Sequence, residues 1–462
     1  FDDYDLPGHL LGGRGDRFIR ALRRKSEDDG LAFAVSILYV KKGMPLPTEE
    51  MVEIALEDTT VLLTSTHKAP DSTIKISPDF SKISPICYKQ RFVDEESLDT
   101  EIRSVVHEVF AGKTFSDEHK YKPYAPSIHA NYTNSRSKMG TFGTLMDEKL
   151  VVEDVGRSDL FKEVRLKGWV SNKLNGSLMG DDKNDDMIVQ EEIPSLNISD
   201  KFVREYDKIY RSIYDSMFAR ALDEQCNVEL VGIIEPFKVR VISKGPEFHY
   251  FVLKPLQKFL HNILRRHPAF RYVGETVTDI TLQEDFALFK GKFLSADYKS
   301  ATDLINPHYS TTAFDAICDE CLVEDETRRL GHEALTGHLI DGQLQMWGQL
   351  MGSIISFIIL CVVNAAVLKL SYRISTGLDE LTPLSDLPVR VNGDDGLMRG
   401  GNDLLKIWEG VSIQAGLLPS VGKVYFSDTY LNMNSTSFRC TDLGGGFDVI
   451  SLIPYINMGL VV

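Results

Sequence analysis

Val389-Arg390-Val391-Asn392-Gly393-Asp394-Asp395-Gly396 is the stretch on which the reading of this chain turns. Two adjacent carboxylates at a glycine-flanked turn between short apolar strands suit a divalent ion held at a hairpin tip. Asn392-Gly393 is itself a tight-turn signal. Alone the string says little, because Asp beside Gly is the usual composition of a solvated turn. Two upstream elements change that. Leu294-Ser295-Ala296-Asp297 ends an apolar strand in a carboxylate and runs on to Asp303, and Gly348-Gln349-Leu350-Met351-Gly352-Ser353 lies between the two acidic elements. In that order the three point to nucleotidyl transfer.

Transfer to a 3′-hydroxyl is commonly run with two divalent ions about 3.5–4 Å apart, one at the attacking oxygen and one at the leaving pyrophosphate. Mg²⁺ is held by a few carboxylates and completed by substrate phosphates. Asp297, ending the predicted strand 292–296, and Asp394, at the hairpin tip, meet that need if their strands pair. Asp395 is then a looser ligand or a supporting group. Asp303 precedes a predicted helix capped by Asn306 with Pro307 in its first position. It reads either as an ordinary acid favoured at a helix start or as the group that recognises a ribose 2′-OH. Tyr298, beside Asp297, has the bulk with which DNA-making enzymes exclude that hydroxyl. Gly352 lets backbone approach a base pair closely, and Ser353 and Ser356 offer hydroxyls to template or ribose. The plain alternative is a loop leading into a buried helix. Lys423 is either a solvated lysine or a general acid for the leaving pyrophosphate.

Further out, Lys238-Val239-Arg240-Val241-Ile242-Ser243-Lys244 alternates with period two, so Lys238, Arg240 and Lys244 share one face of a strand. Lys254, Lys258, Arg265, Arg266 and Arg271 follow, opposed nearby by Glu235 and Glu247. This basic concentration suits a triphosphate, although a charged strand face is ordinarily only solvated. Residues 133–145 form a small-residue loop whose Arg136 and Lys138 could contact a nucleic-acid phosphate chain.

The 462 residues are 43% apolar, enough for a large core, and the formal charge of -16 argues against binding nucleic acid by bulk charge. A polymerase that gathers its basic residues in a channel is compatible with that balance. Six Cys lack a disulfide rhythm, and Cys318-x-x-Cys321 has no second pair at zinc spacing. The run Ile354–Leu370 falls short of a clean span of about 20 apolar residues and reads as a core helix. The acidic start Phe1-Asp2-Asp3 is not that of a signal peptide, and a first residue other than Met suggests a processed product or part of a longer frame. Gly180–Asp186 reads as a solvated acidic loop.

These strings together resemble the ordered motifs of viral RNA-directed RNA polymerases over roughly residues 230–440. Lys238–Lys244 is similar to the basic fingers motif, Asp297 with Asp303 to the first palm motif, and Gly393-Asp394-Asp395 to the third. Gly348–Ser353 with Ser356-Phe357 and Leu360-Cys361 resembles the second palm motif of ourmiavirus- and botourmiavirus-type enzymes, in the wider group with narnaviruses and leviviruses. Ser420–Ser427 and Leu431–Thr436 resemble the next two motifs, and Arg136–Gly143 the loop that admits the template. The chain departs from the pattern where many positive-strand polymerases carry a ribose-selecting Asn: Leu360 stands there, and Asn364 comes one turn later.

The resemblance implies an α+β right-hand fold with an antiparallel-sheet palm, helical fingers and a short or missing thumb. Residues 1–130 would be an N-terminal, fingers-associated region and 131–290 the fingers. Residues 291–430 would be the palm, and 431–462 the last palm motif and the start of the thumb. It implies a polymerase acting on an RNA template with NTPs and two Mg²⁺, Mn²⁺ being a substitute. Asp297, Asp394 and Asp395 would be its metal ligands. Lys238, Arg240, Lys244, Asp303, Ser353, Ser356 and Asn364 would bind NTP; Arg136, Lys138 and Gly352 would bind RNA; and Lys423 would donate a proton. Replication of a viral genome in the host cytoplasm follows, with peripheral membrane or mitochondrial attachment left open and a second viral or host protein able to complete the thumb. The rivals are a reverse transcriptase and a non-catalytic RNA-binding replication subunit that needs a partner chain.

Overall fold

The structure, a computed structural model, describes residues 46–65, 95–124, 126–147, 200–236, 238–442 and 448–454, with Ala21 and Ser36. Helices α1 (Glu49–Thr64), α2 (Glu95–Phe110), α3 (Asp117–Lys120), α4 (Gly140–Asp147) and α5 (Asp200–Asp223) lead to the hairpin β1 (Asn227–Glu235) and β2 (Lys238–Lys244). Then come α6 (Glu247–Val252), α7 (Lys254–Leu264), α8 (Asp279–Phe286) and β3 (Lys292–Ala296). Next are α9 (Ala301–Leu304), α10 (Pro307–Cys321), α11 (Asp325–Thr336), β4 (Leu339–Ile340), β5 (Gln343–Leu344) and α12 (Ser356–Thr376). The hairpin β6 (Val389–Asn392) and β7 (Asp395–Gly400) is followed by α13 (Leu404–Gln414), β8 (Tyr425–Ser427), β9 (Tyr430–Met433), β10 (Thr436–Asp442) and β11 (Asp448–Leu452). The fold is thus mixed helix and sheet. The acidic loop 180–186 and Cys87 lie outside the described residues.

The strands form sheets ordered β2-β1-β4-β5, β6-β7-β3-β8 and β11-β10-β9, antiparallel throughout except for β1 beside β4. In the second sheet, side-chain alternation divides two cores. Phe293 and Leu397 face a core with Phe286, Leu431 and Phe438. Leu294, Ala296 and Met398 face the larger core, which includes α12.

Local signals set the helix ends. Asn306 caps α10 by accepting the His308 N–H at 3.0 Å, with Pro307 in the first position. α12 ends at Gly377, whose φ of 70° is one that glycine adopts at little cost. By length and composition α12 could cross a membrane, but most of it is buried against α2, α10, α13 and the β6–β7 hairpin. Lys369 within it pairs with Glu101 of α2 at 2.9 Å, both 1% exposed, and Arg373 adds a second cation to the same carboxylate. Cys318 and Cys321 are buried in α10, where burial pushes both thiols up, Cys321 to about 12.

Candidate active site

The register of β3 and β7 ends at Ala296 opposite Gly396. Continued by one residue, it sets Asp297 opposite Asp395. Asp394 occupies the two-residue turn between Asn392 and Asp395. Gly393 has φ 65° while Asp394 is not among the residues of positive φ. This is the pattern of a II′ turn, with glycine in the first central position. The segment after α13 comes alongside: Lys299 N–H bonds Leu418 O at 2.8 Å and Ser420 N–H bonds Asp297 O at 2.9 Å. Lys423 is thereby delivered to Asp297, its Nζ 3.2 Å from each carboxylate oxygen.

Negative charge is in excess here. Burial raises the Asp394 pKa, the Asp297 charge raises it further, and Lys423 and Arg240 oppose them. Burial and the charges of Asp394 and Asp297 push Asp395 up to about 7 against Lys423 and a backbone hydrogen bond at Asn434. Carboxylates that raise one another's pKa favour a cation between them. Among the described residues no three His, Cys, Asp or Glu side chains form a group able to hold a metal ion. An all-carboxylate donor set is of the kind that suits Mg²⁺, whose shell substrate oxygens and water complete.

One face of α12 carries the turn. The Gly393 N–H donates to Cys361 Sγ at 3.2 Å, and Asn364 Nδ2 donates to Gly393 O at 2.9 Å. A Cβ on Gly393 would lie 3.1 Å from the Phe357 ring, and one on Gly396 2.8 Å from Leu368. Positions 357, 361, 364 and 368 form one helical stripe. Asn364 Oδ1 in turn accepts the Tyr298 hydroxyl at 2.8 Å, which accepts the Trp408 indole N–H at 3.0 Å. Asn364 is fully buried with both amide atoms engaged, and Tyr298, 3% exposed, turns its hydroxyl into the core. The amide of Asn364, expected to bind NTP, is thus engaged by the protein, and the Tyr298 hydroxyl is turned away from the surface. On the other side, Asn434 and Ser435 have φ 52° and 57°, the I′ pattern, at the tip of β9–β10. Asn392 Nδ2 donates to Asn434 Oδ1 at 3.0 Å, joining the two hairpin tips.

The basic strand β2 pairs with β1, and its cations meet carboxylates there. Arg240 Nε lies 2.9 Å from Glu235, and Lys244 Nζ 3.1 Å from Glu229. Glu229 was missed in the sequence because a cross-strand partner is defined only by the register, here Glu229 opposite Lys244. Lys238 is exposed on the same strand, and its charge acts on Asp303. Burial pushes Asp303 up to about 6 against the Thr302 hydroxyl, Lys238 and Ser300.

The Gly348–Ser353 loop joins these parts. Gln349 N–H bonds Thr302 O at 2.7 Å, and a Cβ on Gly348 would lie 2.5 Å from Asp303 O. At its other end Met351 O accepts from Ser243 N–H of β2 at 2.8 Å, and a Cβ on Gly352, φ 115°, would lie 2.6 Å from Ser243 O. The close approach at Gly352 is to the protein's own backbone. Ser353 donates to Ala334 O, and Ser356 to Ser353 O at 3.2 Å, so both buried hydroxyls serve the backbone. Arg136 and Lys138 lie on an exposed single turn whose loop is tied to the end of β2 by Tyr132 N–H to Gly245 O at 2.9 Å. Cys361, Asn392 and Asn434 complete the site's support. In the sequence these three fell within a turn signal at Asn392-Gly393 and within the strings Leu360-Cys361 and Leu431–Thr436, which gave none of them a role of its own.

Over 254 residues the chain is 34% identical to the RNA-dependent RNA polymerase of Ourmia melon virus (isolate Melon/Iran/VE9), covering 50% of this chain and 29% of that protein. Over half its length the chain is thus similar to an ourmiavirus polymerase. The resemblance read from the motifs thus holds, and the match spans less than a third of the relative's length. No protein-family model matches the chain. Among solved structures, the crystal structure of the RNA-dependent RNA polymerase of a human picorbirnavirus is similar with 17% identity and a TM-score of 0.37, covering 49% of this chain and 45% of that one.

Proposed function

We propose that this chain is an RNA-directed RNA polymerase, adding ribonucleoside monophosphates to an RNA 3′ end and releasing pyrophosphate during replication of a viral RNA genome. The observation that carries this reading is the meeting of Asp297, Asp394 and Asp395 at the end of β3 and the β6–β7 turn, where the Asp297 charge raises the proton affinity of Asp394 and both raise that of Asp395. The β6-β7-β3-β8 sheet with α12 is the proposed palm, and the β1–β2 hairpin belongs to the fingers. Asp297 and Asp394, assisted by Asp395, would hold two Mg²⁺, which supply charge stabilisation to the attacking and leaving oxygens. Lys238, Arg240 and Lys244 face the triphosphate, and Arg240 and Lys244 exchange Glu235 and Glu229 for phosphate oxygens on binding. Lys423 releases Asp297 and donates a proton to the pyrophosphate. With Ser356 and Asn364 engaged in the core, ribose recognition falls to Asp303.

The test is ribonucleotide incorporation by the purified chain on a primed RNA template with Mg²⁺, beside Asp394→Ala. Template-dependent extension, abolished by the substitution, is expected. A folded, Mg²⁺-supplied chain that extends nothing overturns the reading of a self-sufficient enzyme, and a preference for dNTPs favours the reverse transcriptase.

A further inference from the structure

Helix α7 is sharply two-sided. Leu256, Phe259, Leu260 and Leu264 are buried in the main core. Lys254, Lys258, His261 and Arg265 recur at i, i+4, i+7 and i+11, so they stand in one row about 16 Å long. Among the described residues no carboxylate neutralises the row. Arg240, Lys244, Arg271, Arg328, Arg390 and Arg399 each have a carboxylate within salt-bridge distance. Among the described residues no carboxylate pairs with Lys254, Lys258 or Arg265, although the chain carries a net charge of -16. The cations of the row disturb one another: burial and then Lys258 hold Lys254 down to about 8, and burial with Lys258, Arg265 and Lys254 lowers His261. Like charges spaced one turn apart destabilise a helix by a few tenths of a kcal/mol per pair, a cost that an anion lying along the row removes.

The position of the row names the anion. The His261 ring lies 6.4 Å from the ring of Phe357, centroid to centroid. Phe357 is 39% exposed and borders Gly393 in the turn that carries Asp394. An exposed aromatic ring beside a line of unpaired cations is the pairing that binds single-stranded nucleic acid, bases stacking on the ring and phosphates following the charges. We propose that the Lys254–Lys258–Arg265 row, with Phe357 at its side, is the track for the phosphate chain of single-stranded RNA at the catalytic turn. This rests on the polymerase reading above and adds a binding surface to it.

The test is fluorescence anisotropy of the full chain with a single-stranded RNA, a primed template with a single-stranded overhang, and a blunt RNA duplex, each from 50 to 300 mM salt. Each phosphate contact to a single strand contributes about -0.7 to the slope of log K against log salt. Lys254→Gln/Lys258→Gln/Arg265→Gln is therefore expected to flatten that slope by about 2 on the single strand and overhang, with affinity falling roughly tenfold. Lys258→Gln/Arg265→Gln, both at exposed positions, is expected to give about two-thirds of the change and stands in if the triple variant does not fold. The control Lys113→Gln/Lys122→Gln/Arg266→Gln removes equal charge from exposed positions lining a neighbouring cavity and is expected to change the slope much less. An unchanged slope, an equal effect in the control, or a loss confined to the blunt duplex would overturn the track. If the wild type still extends primers in that case, the polymerase reading stands. A wild type that neither binds nor extends RNA removes both.

Discussion

Asn364→Leu tests whether the turn bearing Asp394 is held from below by α12. The substitution keeps the shape approximately and deletes two buried hydrogen bonds, to Gly393 O at 2.9 Å and from the Tyr298 hydroxyl at 2.8 Å. A buried polar group left without its partner costs about 1–3 kcal/mol, so the two together give roughly 2–6 kcal/mol. Urea unfolding should show that loss. A double-mutant cycle with Tyr298→Phe should return a coupling on the order of 1 kcal/mol, since the two side chains share one bond. In primer extension the rate should fall roughly 100-fold, the usual consequence of misplacing a catalytic group by about 1 Å. Discrimination between NTPs and dNTPs should not change. The reasoning is refuted by a variant of wild-type stability, or by one that keeps its rate while losing ribose discrimination, because Asn364 would then be reading substrate.

Gly393→Ala places a Cβ 3.1 Å from the Phe357 ring at a φ of 65°, and is expected to cost about 1–3 kcal/mol with loss of extension activity; Phe357→Leu in the same chain should relieve the contact but not the backbone strain. Lys369→Met leaves the buried Glu101 with Arg373 as its remaining cation and should lower unfolding free energy by about 1–3 kcal/mol, as read by urea titration. His338 is buried and its pKa is held down to about 4, with Gln345 opposing. The folded value lies below the ordinary 6.5, so the stability stored in the neutral ring is fully present above pH 6.5 and is lost as pH falls from 6.5 towards 4. The loss should reach about 3 kcal/mol, and His338→Gln should flatten that part of the stability–pH curve.

The strands and helices near the site were legible because their signals are local. Lys292–Ala296 is a short run of strand composition, Asn306-Pro307 is a helix start, and Asn392-Gly393 marks a turn. The order of Asp297, Gly348–Ser353 and Asp394 carried the chemistry. What could not be read depends on which atoms meet across the fold. Nothing local in Asn364 says that its amide supports Gly393, or in Ser353 and Ser356 that their hydroxyls go to backbone carbonyls. Tyr298 offered bulk beside Asp297, yet alternation along an extended chain turns adjacent residues to opposite sides, and its hydroxyl meets Asn364 and Trp408 in the core. The basic strand was visible by its period, but Glu229 becomes its partner only once the register is set. The row on α7 was visible as composition, and only the buried opposite face and the place of Phe357 gave it a direction.

The sheet order β6-β7-β3-β8 has a consequence for synthesis on the ribosome. β3 is an inner strand, yet both of its neighbours are encoded after it, β7 about 100 residues later and β8 later still. At about 5–20 residues per second, β3 emerges and waits roughly 5–20 s with both hydrogen-bonding edges unpaired. An apolar strand in that condition is a template for pairing with the wrong chain. Slow translation between residues 297 and 395 should therefore lower the yield of folded protein, and a chaperone that covers Lys292–Ala296 during that interval should restore it.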